Sequence, residues 1–179
     1  MSLKHGLLGL LDYGSMTGYD LCKAFDDSLA FFWQATRSQV YRELTAMEKN
    51  KWLESDLVIQ TGKPNRKVYK LTKEGREELD RWLATPAGME DLESRSAFLM
   101  RLFFSSRLNP RQTMENLGRY RELCKGALRT LEEGDEIEEY SKEVSDPRAA
   151  LYWKLTQDFG KEYYGMCVRW AEESIRILQ

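Results

Sequence analysis

One stretch limits the possible folds more than any other: ATRSQVYRELTAMEKNKWLESDLVIQTGKPNRKVYKLT, residues 35–72. Thr36 is followed three residues later by Gln39, the pattern in which a hydroxyl and an amide cap each other's backbone at a helix start. Val40, Leu44 and Met47 then recur at helical spacing and make an apolar face. Residues 53–60 alternate loosely as a strand, with Leu53, Leu57 and Ile59 apolar and Val58 added. Residues 61–67, TGKPNRK, carry turn chemistry and positive charge, and Val68–Leu71 returns as a second strand. The stretch therefore predicts a capped helix followed directly by a β-hairpin with a basic tip.

Charge patterning sharpens that reading. The 179-residue chain has a formal net charge of −2, which on its own argues against binding a polyanion. Between Arg37 and Lys73, however, nine basic and four acidic residues give a net of +5, and Thr61–Lys73 contains no acid. A basic stripe in a mildly acidic protein is an electrostatic footprint for nucleic acid. The helix supplies matching chemistry on its polar side: Thr36, Arg37, Ser38, Gln39, Tyr41, Arg42 and Thr45 can address base edges and phosphates. Crowding into the first two turns suits a helix whose leading end enters a major groove. Lys63, Asn65, Arg66, Lys67 and Tyr69 would follow the flanking backbone from the hairpin. A solvated helix face and a solvated loop explain either half alone; their adjacency favours the DNA reading.

The flanking segments read as scaffold. Leu3, Leu7, Leu8, Leu10 and Leu11 give a first helix over residues 3–12. Thr17 caps a second, with Asp20 as its partner, and free N–H groups at Thr17, Gly18 and Tyr19 can hold a phosphate at its start. Thr72 caps a further helix that points Leu79, Trp82 and Leu83 at the core, and Thr85-Pro86-Ala87-Gly88 breaks the pattern. This places a domain boundary between residues 84 and 85.

The motifs TGYDL at 17–21, SQVYREL at 38–44 and GKPNRKVYKLTKEGREEL at 62–79, with the opening MSLKHGLLGLL, resemble the PadR family of winged-helix transcriptional regulators. The resemblance covers about the first 84 residues almost continuously. It implies a winged helix-turn-helix domain over 1–84 and a helical dimerisation domain over 85–179, as in the larger, virulence-activator-like subgroup. It also implies a homodimer on double-stranded promoter DNA, acting as a repressor released in some members by a small aromatic effector.

The second half supports that architecture by pattern rather than motif. Residues 91–108 read as one helix carrying Leu92, Phe98, Leu99, Leu102 and Phe103. Asn109-Pro110 and Asp146-Pro147 each place a cap before a proline in the first turn. Between them Met114, Leu117, Arg121, Cys124, Leu128 and Leu131 alternate by three and four, and residues 132–143 are acidic. The last helix runs roughly 45 Å at 1.5 Å per residue. Its apolar stripe is Leu151, Leu155, Phe159, Tyr163, Met166, Trp170 and Ile177. So long a stripe calls for a second subunit, and the resemblance implies a dimer clasped also by the first helix, with Leu3 and Leu7 as its contacts. The surplus aromatics are compatible with an effector pocket, to which no residue is assigned.

Other classes of function find little footing. The chain has no nucleophile elbow, Gly-rich phosphate loop or Cys/His cluster, and one histidine, His5, so no enzyme activity, metal or cofactor is expected. Three scattered cysteines, the lack of a cleavage pattern at the start and the lack of a long apolar run suit a reduced, cytoplasmic setting. Two alternatives remain: an activator working with a second DNA-bound protein, and an interaction module using the C-terminal helices.

Overall fold

Every helix start expected from a side-chain cap is found. The structure, a computed structural model, describes residues 3–59, 65–92, 96–134 and 146–179. In order these are α1 (Leu3–Tyr13), β1 (Met16–Thr17), α2 (Gly18–Ser28), α3 (Arg37–Lys49), β2 (Leu53–Val58), β3 (Arg66–Leu71) and α4 (Lys73–Leu83). There follow a 3-10 turn (Met89–Leu92), α5 (Ala97–Phe103), a second such turn (Ser105–Arg107), α6 (Pro110–Glu133) and α7 (Pro147–Leu178). The fold is thus mainly helical with a small antiparallel sheet in the order β1-β3-β2. The chain divides into two compact units, residues 1–91 and 92–179. The break expected at residue 85 lies a few residues inside the first of them.

The first unit closes around one core. Leu7, Leu8 and Leu11 of α1 meet Leu21 and Phe25 of α2, Val40, Leu44 and Met47 of α3, Leu53, Tyr69 and Leu79. Gly75 lets the first turn of α4 approach the start of β2, because a Cβ there would run into the carbonyl oxygen of Trp52. Thr72 ties the same corner: its hydroxyl caps Gly75 N–H at 3.0 Å and donates to the Lys51 carbonyl at 2.7 Å. Lys51 takes a left-handed backbone at φ 62°, just after α3 ends.

Four expectations need correction. The hairpin strands end at Val58 and begin at Arg66, so Arg66 and Lys67 are strand residues and not part of the tip. β1 was not foreseen; it adds a third strand through Met16 opposite Tyr69 and Thr17 opposite Val68. Only Leu79 of the three α4 residues enters the core; Trp82 and Leu83 are 42% and 64% exposed. Trp82 instead lies flat against buried His5 of α1, with ring centroids 4.7 Å apart. Residues 91–108 are not one helix: Ser96 caps a fresh start at Leu99 N–H, and α5 ends at Phe103 before Ser105-Ser106.

In the second unit α6 and α7 pack side by side. Thr113, Leu117 and Cys124 of α6 are buried, with Gly160, Cys167 and Ala171 of α7. Small residues on α7 let the two backbones approach along this face. Phe98 of α5 stacks on Tyr120 of α6 at 4.1 Å, and Trp170 meets both rings edge-on. The three cysteines are free and buried. No described helix is long and apolar enough to cross a membrane. Most of the acidic run at 132–143 lies outside the described residues.

Candidate nucleic-acid interface

The leading end of α3 is set by its cap. Gln39 N–H donates to Thr36 Oγ1 at 3.3 Å, and the Gln39 amide oxygen accepts from Thr36 N–H at 2.8 Å. The Thr36 hydroxyl also donates to that oxygen, at 3.0 Å. Gln39 therefore holds the helix start, and its oxygen is not available for the two-point contact with adenine that its side chain suggested. Arg37, Ser38, Tyr41, Arg42 and Thr45 are all exposed, opposite the face that buries Val40, Leu44 and Met47. Thr45 returns its hydroxyl to the Tyr41 carbonyl at 3.0 Å.

This end of α3 is pressed against the start of α2. A Cβ on Gly18 would sit 2.5 Å from Cε1 of Tyr41, so the glycine is what lets the Tyr41 ring pack there. The Arg37 guanidinium lies 5.7 Å from the centre of the Tyr19 ring. Gly18 and Tyr19 thus border the leading end of α3. The phosphate seat assigned to the N–H groups of Thr17, Gly18 and Tyr19 is contested, however. Thr17 Oγ1 already accepts from Asp20 N–H and donates to the Asp20 carboxylate at 2.7 Å, which puts a negative charge in that first turn.

The hairpin sorts its charges by strand alternation. Opposed residues share a face. Ser55 faces Tyr69 and Leu57 faces Lys67; Asp56 faces Val68 and Val58 faces Arg66. Tyr69 is buried at 6% exposure within the core and marks the inward face, so its ring, expected at the DNA side, packs inward. Burial pushes its hydroxyl above the usual tyrosine range, only partly offset by the nearby Lys67 charge. Lys67 shares that inward face. Its ammonium donates to Glu48 Oε2 of α3 at 2.7 Å and lies 5.2 Å from the Tyr69 ring centre. Ser55 Oγ donates to the other Glu48 oxygen at 2.6 Å. Burial alone would raise the Glu48 carboxyl, but the bonds from Lys67 and Ser55 outweigh it and hold the group below the ordinary glutamate range. Arg66 lies on the outward face and is exposed, as is Asn65. Lys63 lies outside the described residues. Among the described residues, Arg37, Arg42 and Arg66 join no ion pair, while Lys67 and Lys70 do.

In the second unit the stripe expected at a subunit interface is open. Leu151, Leu155, Phe159 and Ile177 are 56%, 56%, 67% and 75% exposed; Tyr163, Met166 and Trp170 are between 37% and 47%. Leu7, by contrast, is fully buried in the core of its own unit and offers no surface to a partner; Leu3 remains partly exposed.

Residues 7–81 match the transcriptional regulator PadR-like family, and residues 94–179 match the virulence activator alpha C-terminal region. The chain thus carries a PadR-like domain followed by a virulence-activator-type C-terminal domain. It is 32% identical over 113 residues to the negative transcriptional regulator PadR of Bacillus subtilis, covering 63% of this chain and 62% of that protein. Over 86 residues it is 44% identical to a probable transcriptional regulator of Mycobacterium tuberculosis, covering 48% and 46%. These matches therefore span about half to three-fifths of the curated relatives' length. Among solved structures, Bacillus subtilis PadR in complex with operator DNA aligns over 99% of both chains at 28% identity and a TM-score of 0.78. The same protein with p-coumaric acid aligns over 98% of both chains at 26% identity with a TM-score of 0.69. The Vibrio cholerae virulence activator AphA aligns over 99% of this chain and 98% of its own, at 25% identity and 0.73.

Proposed function

We propose that this PadR-like chain is a homodimeric, sequence-specific DNA-binding regulator that represses transcription by occupying promoter DNA. The observation that carries the reading is the exposed, acid-free set of Arg37, Ser38, Tyr41 and Arg42 at the capped leading end of α3, with Arg66 on the adjoining hairpin. In this arrangement α3 enters a major groove and Arg66 and Asn65 meet the flanking backbone. Residues 1–84 act as the DNA-binding domain and 85–179 as the dimerisation domain. The open stripe of α7 supports a second copy, since so many apolar side chains would otherwise stay in water. Two such readers, related by a two-fold axis, suit a pseudo-palindromic site with half-sites about one helical turn apart.

Footprinting on the promoter DNA upstream of the protein's own gene tests this reading. The expected result is a protected, roughly symmetric site. Affinity should fall by about 10³-fold or more between 50 and 200 mM salt if six or more phosphates are neutralised. Binding indifferent to salt and to sequence would remove the proposal. The complex of Bacillus subtilis PadR with p-coumaric acid makes a small aromatic acid the effector class to test for release. The likeness to AphA favours a second sign of regulation, activation beside another DNA-bound protein. Reporter output with the site moved relative to the promoter separates the two.

A further inference from the structure

Glu48 occupies the last turn of α3, Ser55 lies on β2 and Lys67 on β3, and the three meet on the inward face of the hairpin. Glu48 keeps 24% of its side chain exposed and Lys67 46%, so the pair is half sheltered and open to one side. Resting on the DNA-binding reading above, we infer that Glu48, Ser55 and Lys67 form a positioning clamp. The clamp fixes the wing against the recognition helix, and Lys67 serves it instead of gripping a phosphate.

Three observations support this division of labour. Lys67 shares a strand face with buried Tyr69, whereas Arg66, the next residue along, projects from the outward face. Both oxygens of Glu48 are engaged, one by each strand of the hairpin, so a single carboxylate sets the position of β2 and β3 together. The ring of Tyr69 underlies the ammonium and limits its swing. Without the clamp, the last core anchor of the wing is Tyr69. Arg66 then stands three residues beyond it, a lever of about 10 Å at 3.3 Å per residue. With Lys67 fixed, the lever shortens to one residue, about 3 Å. Groove contacts tolerate errors of roughly 0.5 Å, so a shorter lever means fewer misplaced encounters.

The test is a set of variants of the full chain, with affinity for a footprinted promoter fragment measured across a salt series. Lys67→Ala and Glu48→Gln should each weaken binding about fivefold, and the double variant no more than either single, since the two changes disable one device. The salt slope should stay at the wild-type value in all three. Lys67→Arg, which keeps charge and donors, should recover most of the affinity. Arg66→Ala is the contrast: its slope should flatten by about 0.9, one phosphate's worth. If Lys67→Ala flattens the slope by that amount, or if Glu48→Gln tightens binding, Lys67 is a phosphate contact that Glu48 holds back, and the clamp is wrong. Wild-type protein with no salt-dependent binding would sink the DNA reading and the clamp with it. A slope lost on Lys67→Ala in a tightly binding wild type sinks the clamp alone. Hydrogen exchange of the free protein gives a readout without DNA. Glu48→Gln should speed exchange at residues 56–58 and 66–67 and leave 69–71 protected; unchanged exchange overturns the inference.

Discussion

The two units solve the problem of covering apolar surface in opposite ways. The first closes a core of its own: Leu7, Leu8, Leu21 and Leu44 are wholly buried, the exposed side of α3 carries cations and hydroxyls, and the apolar residues left open, such as Leu57 and Leu83, form no stripe along one helix. The second covers only one side of its longest helix. The face of α7 that meets α6 carries Gly160, Cys167 and Ala171, whereas Leu151, Leu155 and Phe159 on the other side stay open. A large-to-small change should therefore act on folding in the first unit and on assembly in the second.

The largest expected effect breaks that contrast at its first half. Leu44→Ala, at a fully buried site, should cost about 2–5 kcal/mol in a denaturant melt while leaving the oligomeric state at saturating concentration unchanged. The second half is tested by Leu155→Asp with Phe159→Asp, both exposed in the chain. This pair should shift a dimer to monomer by about 100-fold in dissociation constant, read by sedimentation. Helix content should remain. A monomeric wild type, or a dimer indifferent to the pair, would show that the stripe is covered by something other than a second copy.

Gly18→Ala sharpens the comparison at the DNA face. The new methyl must displace the Tyr41 ring, so promoter affinity should drop by about tenfold with a melting change of a few degrees at most. A pH titration comes next in size. Burial pushes His5 below the ordinary histidine value of 6.5, only partly opposed by its bond to Glu78. The folded state thus favours the neutral ring. His5 stabilises it fully above pH 6.5, and that stability is lost as pH falls from there through the lowered folded value. Glu78 is held low by the same bond, by Arg81 and by Lys4, so its share is lost below about pH 4.5. The melting temperature of the first unit should fall on acidification, and His5→Gln should flatten the upper part of the curve. Smallest of all, Lys51→Gly should relieve a left-handed backbone and raise stability by up to about 1 kcal/mol.

Local chemistry was legible in the sequence and long-range pairing was not. Thr36 with Gln39, Thr17 with Asp20, Asn109 before Pro110 and Asp146 before Pro147 all act within four residues, and each is found as read. The stripe on α7 was legible because its period runs from Leu151 to Ile177, about seven turns at 3.6 residues each. β1 escaped because two residues have no periodicity. The burial of its strand neighbour Tyr69 was not legible because, beside so many cations, an amphipathic ring looks like a DNA contact. The Lys67–Glu48 pair joins residues 19 apart, and charge counting put Lys67 with its basic neighbours. Strand parity was the available signal: Tyr69 and Leu71 face the core, so Lys67 must start from that same side. Gln39 was read both as a cap and as a base reader, and its oxygen is engaged in the cap.

The contact between Gly18 and Tyr41 also bears on attempts to retarget the protein to new operators. Of the exposed residues on α3, Ser38, Arg42 and Thr45 make no ring or hydrogen-bond contact with α2 among the described residues, whereas Arg37 lies over the Tyr19 ring. Tyr41 touches α2 as well, because its ring fills the space that Gly18 leaves. On the proposed DNA reading, a library that randomises Ser38, Arg42 and Thr45 and keeps Arg37 and Tyr41 explores base preference alone, whereas one that includes position 41 also disturbs the packing of α3 on α2.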